Sequence, residues 1–197
     1  MKSPRSIVVA ALVLASVASQ AHALTGAICV SAKLNGSLKL RATGICKTTE
    51  VQLGSFDGTT LQFSGINVQV VSGSGATNGA VNGKGNLIVG YNEGTMGQTR
   101  TGSHNLVVGN EHEYTSYGGL VAGFANTVSG ISASVSGGAG NVASGVNASV
   151  SGGASNQVGG GDASISGGAG LSQPANNGWA AGSVEPGNTV VGDFESP

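Results

Sequence analysis

Residues 133–147 read ASVSGGAGNVASGVN, residues 148–162 read ASVSGGASNQVGGGD, and residues 163–170 begin the same phrase a third time, ASISGGAG. The period is fifteen residues. Val135, Val150 and Ile165 hold one apolar position; seven residues earlier, Val128, Ala143 and Val158 hold a second. Two apolar points per unit, separated by Gly and Asn, predict two short strands and two tight turns, which is one coil of a β-solenoid. Serines flank the first point on both sides, at 134 and 136, 149 and 151, 164 and 166. Because side chains alternate along a strand, the valine faces a dry interior and both serines face water. The glycine pairs 137–138, 152–153 and 167–168 permit positive φ at a turn, and Asn126, Asn141 and Asn156 recur where a left-handed residue or a side-chain ladder fits.

Upstream the phrase loosens. Asn86-Leu87-Ile88-Val89-Gly90 returns as Asn105-Leu106-Val107-Val108-Gly109 and again as Leu120-Val121-Ala122-Gly123, with uneven steps. Irregular coils hold their extra residues in loops, so the insertion from Asn92 to Ser103, with Arg100, and the loop Glu111-His112-Glu113-Tyr114 are the candidate ligand-binding surfaces. Downstream, Trp179-Ala180-Ala181-Gly182 and Asn188-Thr189-Val190-Val191-Gly192 echo the unit. Pro174, Pro186, Trp179 and the acidic Asp193 and Glu195 mark a terminal cap, which a solenoid needs to shield its last open edge. The repeat domain is read as 86–192, followed by a tail, 193–197.

The amino terminus places Lys2 and Arg5 before the apolar run Ile7–Val17 and the small-x-small site Ala21-His22-Ala23, the order of a secretory signal peptide over residues 1–23. Residues 24–56 differ in texture: Ala27-Ile28-Cys29-Val30 and Leu38-Lys39-Leu40-Arg41 read as strands, with Asn35-Gly36 as the turn between them. Two cysteines in an exported chain most simply bridge, Cys29 to Cys46, because their spacing is not that of a CxxC pair and no histidine lies near. Residues 57–85 continue as connecting strands, Thr60–Phe63 and Ile66–Val71, and end in a Gly-rich junction, Ser72–Gly79.

Charge and motif chemistry exclude more than they assign. From Gly118 to Val184 the only charged side chain is Asp162, so there is no basic footprint for nucleic acid. After the signal segment no apolar stretch is long enough to span a bilayer. Residues 79–85, GAVNGKG, lack the glycine spacing and the following Ser/Thr of a phosphate loop. Glu111-His112-Glu113 offers metal-ligand types, but neighbours on an extended strand point to opposite faces. Asp162 stands outside any calcium-roll nonapeptide. No Ser-His-Asp order or carboxylate pair stands out, so the expectation is a protein without catalysis, cofactor or metal.

Two small apolar residues per coil make a thin core, and thin cores are supplemented by association. A homotrimer of side-by-side coils, with Ile131 and Val146 in the shared interface, is the expectation. Two resemblances accompany it. The pattern of Ile28-Cys29-Val30, Leu38–Arg41 and Cys46-Lys47 with Glu50 resembles a cysteine-stapled β module found at the front of exported bacterial repeat proteins. Residues 86–192, with short Val/Ile/Ala strands, turn glycines and Asn at fourteen to fifteen residues, resemble the YadA-type head of trimeric autotransporter adhesins. That resemblance implies a trimeric, left-handed parallel β-roll at the cell surface, adhesin-like, which binds an extracellular surface or matrix ligand. The chain lacks the long heptad stalk and the membrane-barrel strands of that family. A structural matrix, coat or filament subunit is the alternative. Ice binding is disfavoured because the outward rows are Ser rather than Thr.

Overall fold

The computed structural model describes residues 25–31, 38–41, 45–57, 59–94 and 97–183. Residues 1–23, expected to be a signal peptide, residues 35–36, expected to be a turn, Pro186, residues 188–192 and the acidic tail lie outside the described residues. The chain divides into two compact units, residues 1–68 and 69–197.

In the first unit, β1 (Thr25–Ser31), β2 (Leu38–Arg41), β3 (Glu50–Asp57) and β4 (Leu61–Phe63) form an antiparallel sheet in the order β2-β1-β3-β4. A register shift between Ile28 and Cys29 bends β1 against β3, and Ala27 and Cys29 are buried there. Cys29 bonds Cys46 across 17 residues, closing a loop that adds about 3 kcal/mol in the chain-entropy view. Arg41 pairs with Glu50, whose carboxylate also accepts the Lys47 N–H at 3.1 Å. Asp57 caps the turn into β4. The Thr59 and Thr60 N–H groups donate to it at 2.9 and 2.6 Å and hold its carboxyl below the ordinary carboxylate range.

Only Leu61–Phe63 of the expected connecting strands is one. Ile66–Val71 belongs to no sheet, and Ile66, Val68, Val70 and Val71 are all exposed. Alternation of β-branched and polar residues gives a strand propensity, and propensity alone does not form a sheet without a paired neighbour.

The second unit is a parallel β-solenoid of about six turns. β5 (Leu87–Val89), β6 (Leu106–Asn110), β8 (Leu120–Phe124), β10 (Ser134–Val135), β12 (Ser149–Val150), β14 (Ser164–Ala169) and β16 (Trp179–Ser183) stack as one seven-stranded sheet. β7 (Glu113–Tyr114), β9 (Thr127–Val128), β11 (Val142–Ala143), β13 (Gln157–Val158) and β15 (Ser172–Gln173) form a second, five-stranded sheet. Single bridges join Phe124, Ala139, Ala154 and Ala169 on a third side. From β8 onward the chain alternates between the sheets, so each residue meets its counterpart one coil away: Val135 pairs with Val121 and Val150, and Val150 with Ile165.

The core is richer than two apolar side chains per coil. Val121, Val135, Val150 and Ile165 are buried from the seven-stranded sheet, and Val128, Ala143 and Val158 from the other. Ala133, Ala148 and Ala163 add a third buried column, and Asn126, Asn141 and Asn156 a fourth, none of them more than 1% exposed. Turns supplied these residues, so strand periodicity did not count them. Positive φ falls on the residue just before each of these corners, for example Ala125, Ser155, Ser132, Asn147 and Asp162, and not on the asparagines themselves.

Candidate functional site

The asparagine column is a continuous hydrogen-bonded ladder. Asn126 Oδ1 accepts the Asn141 N–H at 2.8 Å, Asn141 Oδ1 the Asn156 N–H at 3.0 Å, and Asn156 Oδ1 the Leu171 N–H at 3.0 Å, each step fifteen residues. Each amide group also donates to two carbonyls. Asn141 Nδ2 reaches Gly137 and Gly153, and Asn156 Nδ2 reaches Gly152 and Gly168, at 3.0–3.2 Å. The ladder thereby gives the Gly137 and Gly152 carbonyls a side-chain donor, and gives the Gly153 and Gly168 carbonyls a second donor beside the Ala139 and Ala154 N–H groups.

His112, expected on a displayed loop, is the first member of this column and is fully buried. Its Nδ1 accepts the Asn126 N–H at 3.2 Å, the role Oδ1 plays in the other coils. Its Nε2 lies 3.0 Å from the Val108 carbonyl four residues back, as Asn126 Nδ2 lies 2.6 Å from Ala122 O. A carbonyl only accepts, so the imidazole is neutral with its proton on Nε2. Neither ring nitrogen is left as a metal ligand.

Tyr114 is likewise inside, 3% exposed, in the apolar column of the five-stranded sheet. Its hydroxyl accepts a bond from Asn92 Nδ2 at 3.1 Å. Arg100 is the hub of the insertion. Its guanidinium donates to the carbonyls of Asn92, Glu93 and His112 and to Gln98 Oε1. Gln98 Nε2 donates to the Glu111 carbonyl at 2.6 Å, and the Glu111 N–H to the Glu93 carbonyl at 2.8 Å. Asn92, Arg100, Glu111, His112 and Tyr114 are thus brought together as a strap bonded through its own backbone. Arg100 is spent on carbonyls, and Glu113 stays half-buried on the outer side of β7. Among the described residues, the side chains this region presents to solvent include Tyr91, 93% exposed, Glu93, Thr99 and Thr101.

The second histidine, His104, uses the opposite tautomer. Nδ1 faces the Thr77 carbonyl at 3.2 Å and Nε2 accepts the Ser72 N–H at 3.0 Å. A cleft of about 330 Å³ opens beside it, lined by Gln69, Val71, Ser72, Ser74 and Thr77 among others. The Ser72 hydroxyl bonds Ser74 Oγ at 2.8 Å rather than the imidazole, so no nucleophile is activated there. Cys29, Cys46 and Glu50 cluster closely, but both sulfurs are in the disulfide and the carboxylate is ion-paired.

Ile131 and Val146 are exposed, 38% and 49%, on one corner column that continues as Gly161 and Asn176. A longer apolar surface lies elsewhere. On the outer face of the seven-stranded sheet, Leu87, Val89 and Leu106 are 55%, 55% and 38% exposed. In the later coils the same positions are Ser134 and Ser136, Ser149 and Ser151, and Ser164 and Ser166, all half-buried or exposed. The signal was in the sequence: NLIVG and NLVVG carry apolar residues where SVS carries serine.

The fold defines a parallel β-solenoid protein with a disulfide-bridged β module. No protein-family model, curated protein or solved structure matches the chain. Among the described residues no helix is long and apolar enough to cross a membrane.

Proposed function

We propose that this chain is an exported, self-associating β-solenoid scaffold without catalysis, which assembles as a trimer and displays its irregular coils to an extracellular surface or matrix ligand. The supporting observation is the change of one sheet face from exposed Leu87, Val89 and Leu106 to a serine ladder within a single element. The apolar end is a surface for another protein, and the serine end is a surface for water. The disulfide fits an oxidising compartment, as export requires. Light scattering on the purified chain tests the assembly: a trimer mass is expected, and a monomer at every concentration would overturn the reading.

Recognition rests on Tyr91 and Glu93, the exposed aromatic and charged groups beside the strap. Replacing both, Tyr91→Ser with Glu93→Ala, is expected to abolish attachment to a bound surface while the assembly keeps its mass. Deleting residues 92–103 would instead remove Arg100 and the buried Ser103 and so disturb the fold as well. The alternative, a structural matrix, coat or filament subunit, is favoured if electron microscopy shows arrays and the double replacement leaves attachment unchanged.

A further inference from the structure

The two sheets of the solenoid end differently at their amino-terminal side. The five-stranded sheet is covered: the Tyr114 N–H donates to the Thr99 carbonyl at 3.1 Å, the Gly102 N–H donates to the Tyr114 carbonyl at 3.0 Å, and the Gly83 N–H donates to the Thr101 carbonyl at 2.8 Å. β7 therefore lies beneath two further passes of chain. The seven-stranded sheet stops at β5, whose outer edge carries no strand among the described residues. Leu87, Ile88 and Val89 are 55%, 39% and 55% exposed. Ile88 pairs with Val107, which is fully buried, so Ile88 stands at the open end of the core column. An uncovered, uncharged edge of this kind pairs with any compatible strand that reaches it.

The same chain carries such a strand without a partner. Ile66-Asn67-Val68-Gln69-Val70 alternates apolar and polar residues and is rich in β-branched side chains, and the sequence from Gly58 to Gly83 has no charge. It belongs to no sheet, and Ile66, Val68 and Val70 are 44%, 62% and 43% exposed. Its own chain cannot lay it parallel on β5. Ser72 is pinned by its N–H to His104 Nε2 and by its carbonyl to Asn82 Nδ2, and the Val71–Ser72 backbone packs so closely on Gly85 that a Cβ there would lie 2.5 Å from the Ser72 nitrogen. The segment thus ends where β5 is about to begin, whereas parallel register requires it to start there. A second copy has no such tether.

We infer that Ile66–Val70 of one copy adds to β5 of another as a further parallel strand, with Val68 over Ile88 closing the core and Asn67 and Gln69 facing water. Main-chain bonds supply the affinity and the alternating valines the register. Donor and acceptor are different patches of one chain, so the contact is heterologous: it closes into a ring if the rotation permits and otherwise grows as a filament. The inference rests on the self-association proposed above and names its contact.

The test mixes two full-length single variants, Val68→Cys and Ile88→Cys, under mild oxidation with the native disulfide already formed. A covalent pair containing one chain of each kind is expected, and no such pair when Val146→Cys replaces Ile88→Cys. Separately, Val68→Asp, in a segment with no packing role, is expected to reduce the particle to monomer mass while circular dichroism stays unchanged; Ile88→Asp acts from the other side. If Val68→Asp leaves the oligomer intact and the mixture yields no covalent pair, this contact is overturned although self-association stands. A disulfide formed only within one chain carrying both replacements also overturns it. A wild-type monomer at all concentrations removes both this contact and the reading it rests on.

Discussion

Between Ala133 and Gly170 every coil closes its corners alike, with a buried asparagine before one sheet and a buried alanine before the other. Between Asn86 and Gly119 the same corners are held by different groups. Asn86 Oδ1 takes the Asn105 N–H at 2.9 Å and Asn105 Oδ1 the Gly119 N–H at 2.8 Å, where the later coils have alanine, and His112 stands in for asparagine on the other side. The strap around Arg100 appears only here. The corner before the five-stranded sheet therefore selects for an acceptor and a donor in fixed positions, which asparagine and His112 both supply, while the other corner takes either alanine or a bonded asparagine. Where coils repeat, the ladder supplies both from its neighbours; where they do not, the chain adds a polar strap to satisfy its own carbonyls.

The sharpest test of this contrast lies in the regular coils. A Cβ on Gly153, which has φ of 88°, would meet the Gly168 carbonyl oxygen at 2.0 Å, whereas nothing stands within 4 Å of one on Gly152. Gly153→Ala is expected to lower unfolding stability by about 3 kcal/mol, and Gly152→Ala to change it by less than about 1 kcal/mol. Equal denaturation midpoints for the two would break the stacked-turn account.

Next in size is the ladder itself. Asn141→Ala strands the Asn156 N–H and the Gly137 carbonyl, and leaves the Gly153 carbonyl with only the Ala139 N–H, and is expected to cost about 2–3 kcal/mol. In the irregular coils His112→Ala should cost about 2 kcal/mol, while His112→Asn should restore most of it, since asparagine supplies the same acceptor and donor. If Asn and Ala at 112 melt together, the equivalence of the two corners fails.

Arg100→Ala removes donors to three carbonyls and is expected to cost about 1–2 kcal/mol. Limited proteolysis should then cut within residues 92–98, with hydrogen exchange in the coils from Ala133 onward unchanged. Protection lost throughout would mean that the two regions unfold as one.

The smallest effect lies outside both. Asp57, with its carboxyl held low by two N–H donors, stabilises its turn above the ordinary carboxylate pKa of about 4. That contribution fades as pH falls through and below this value, and Asp57→Asn should flatten the acid dependence of the first unit alone.

Much of the architecture was legible in the residues. Period and alternation carry strands and coils because a parallel stack places like over like, and two cysteines in one chain have one way to bridge within it. The apolar sheet face at Leu87, Val89 and Leu106 is legible too, as leucine and valine at the positions where the later coils carry SVS. His112 and Tyr114 are buried rather than displayed, a difference not legible in the residues because loop chemistry looks the same whichever way a turn folds.

The sequence by itself determined that this chain coils, roughly how often, and which residues repeat, since strand period and turn glycines act locally. Only the tertiary structure decided which side chains enter the corners, that a histidine completes an asparagine ladder, and that one sheet edge is strapped while the other stands open. Those outcomes depend on hydrogen-bond partners fourteen or more residues away, and no local pattern specifies where such partners will be.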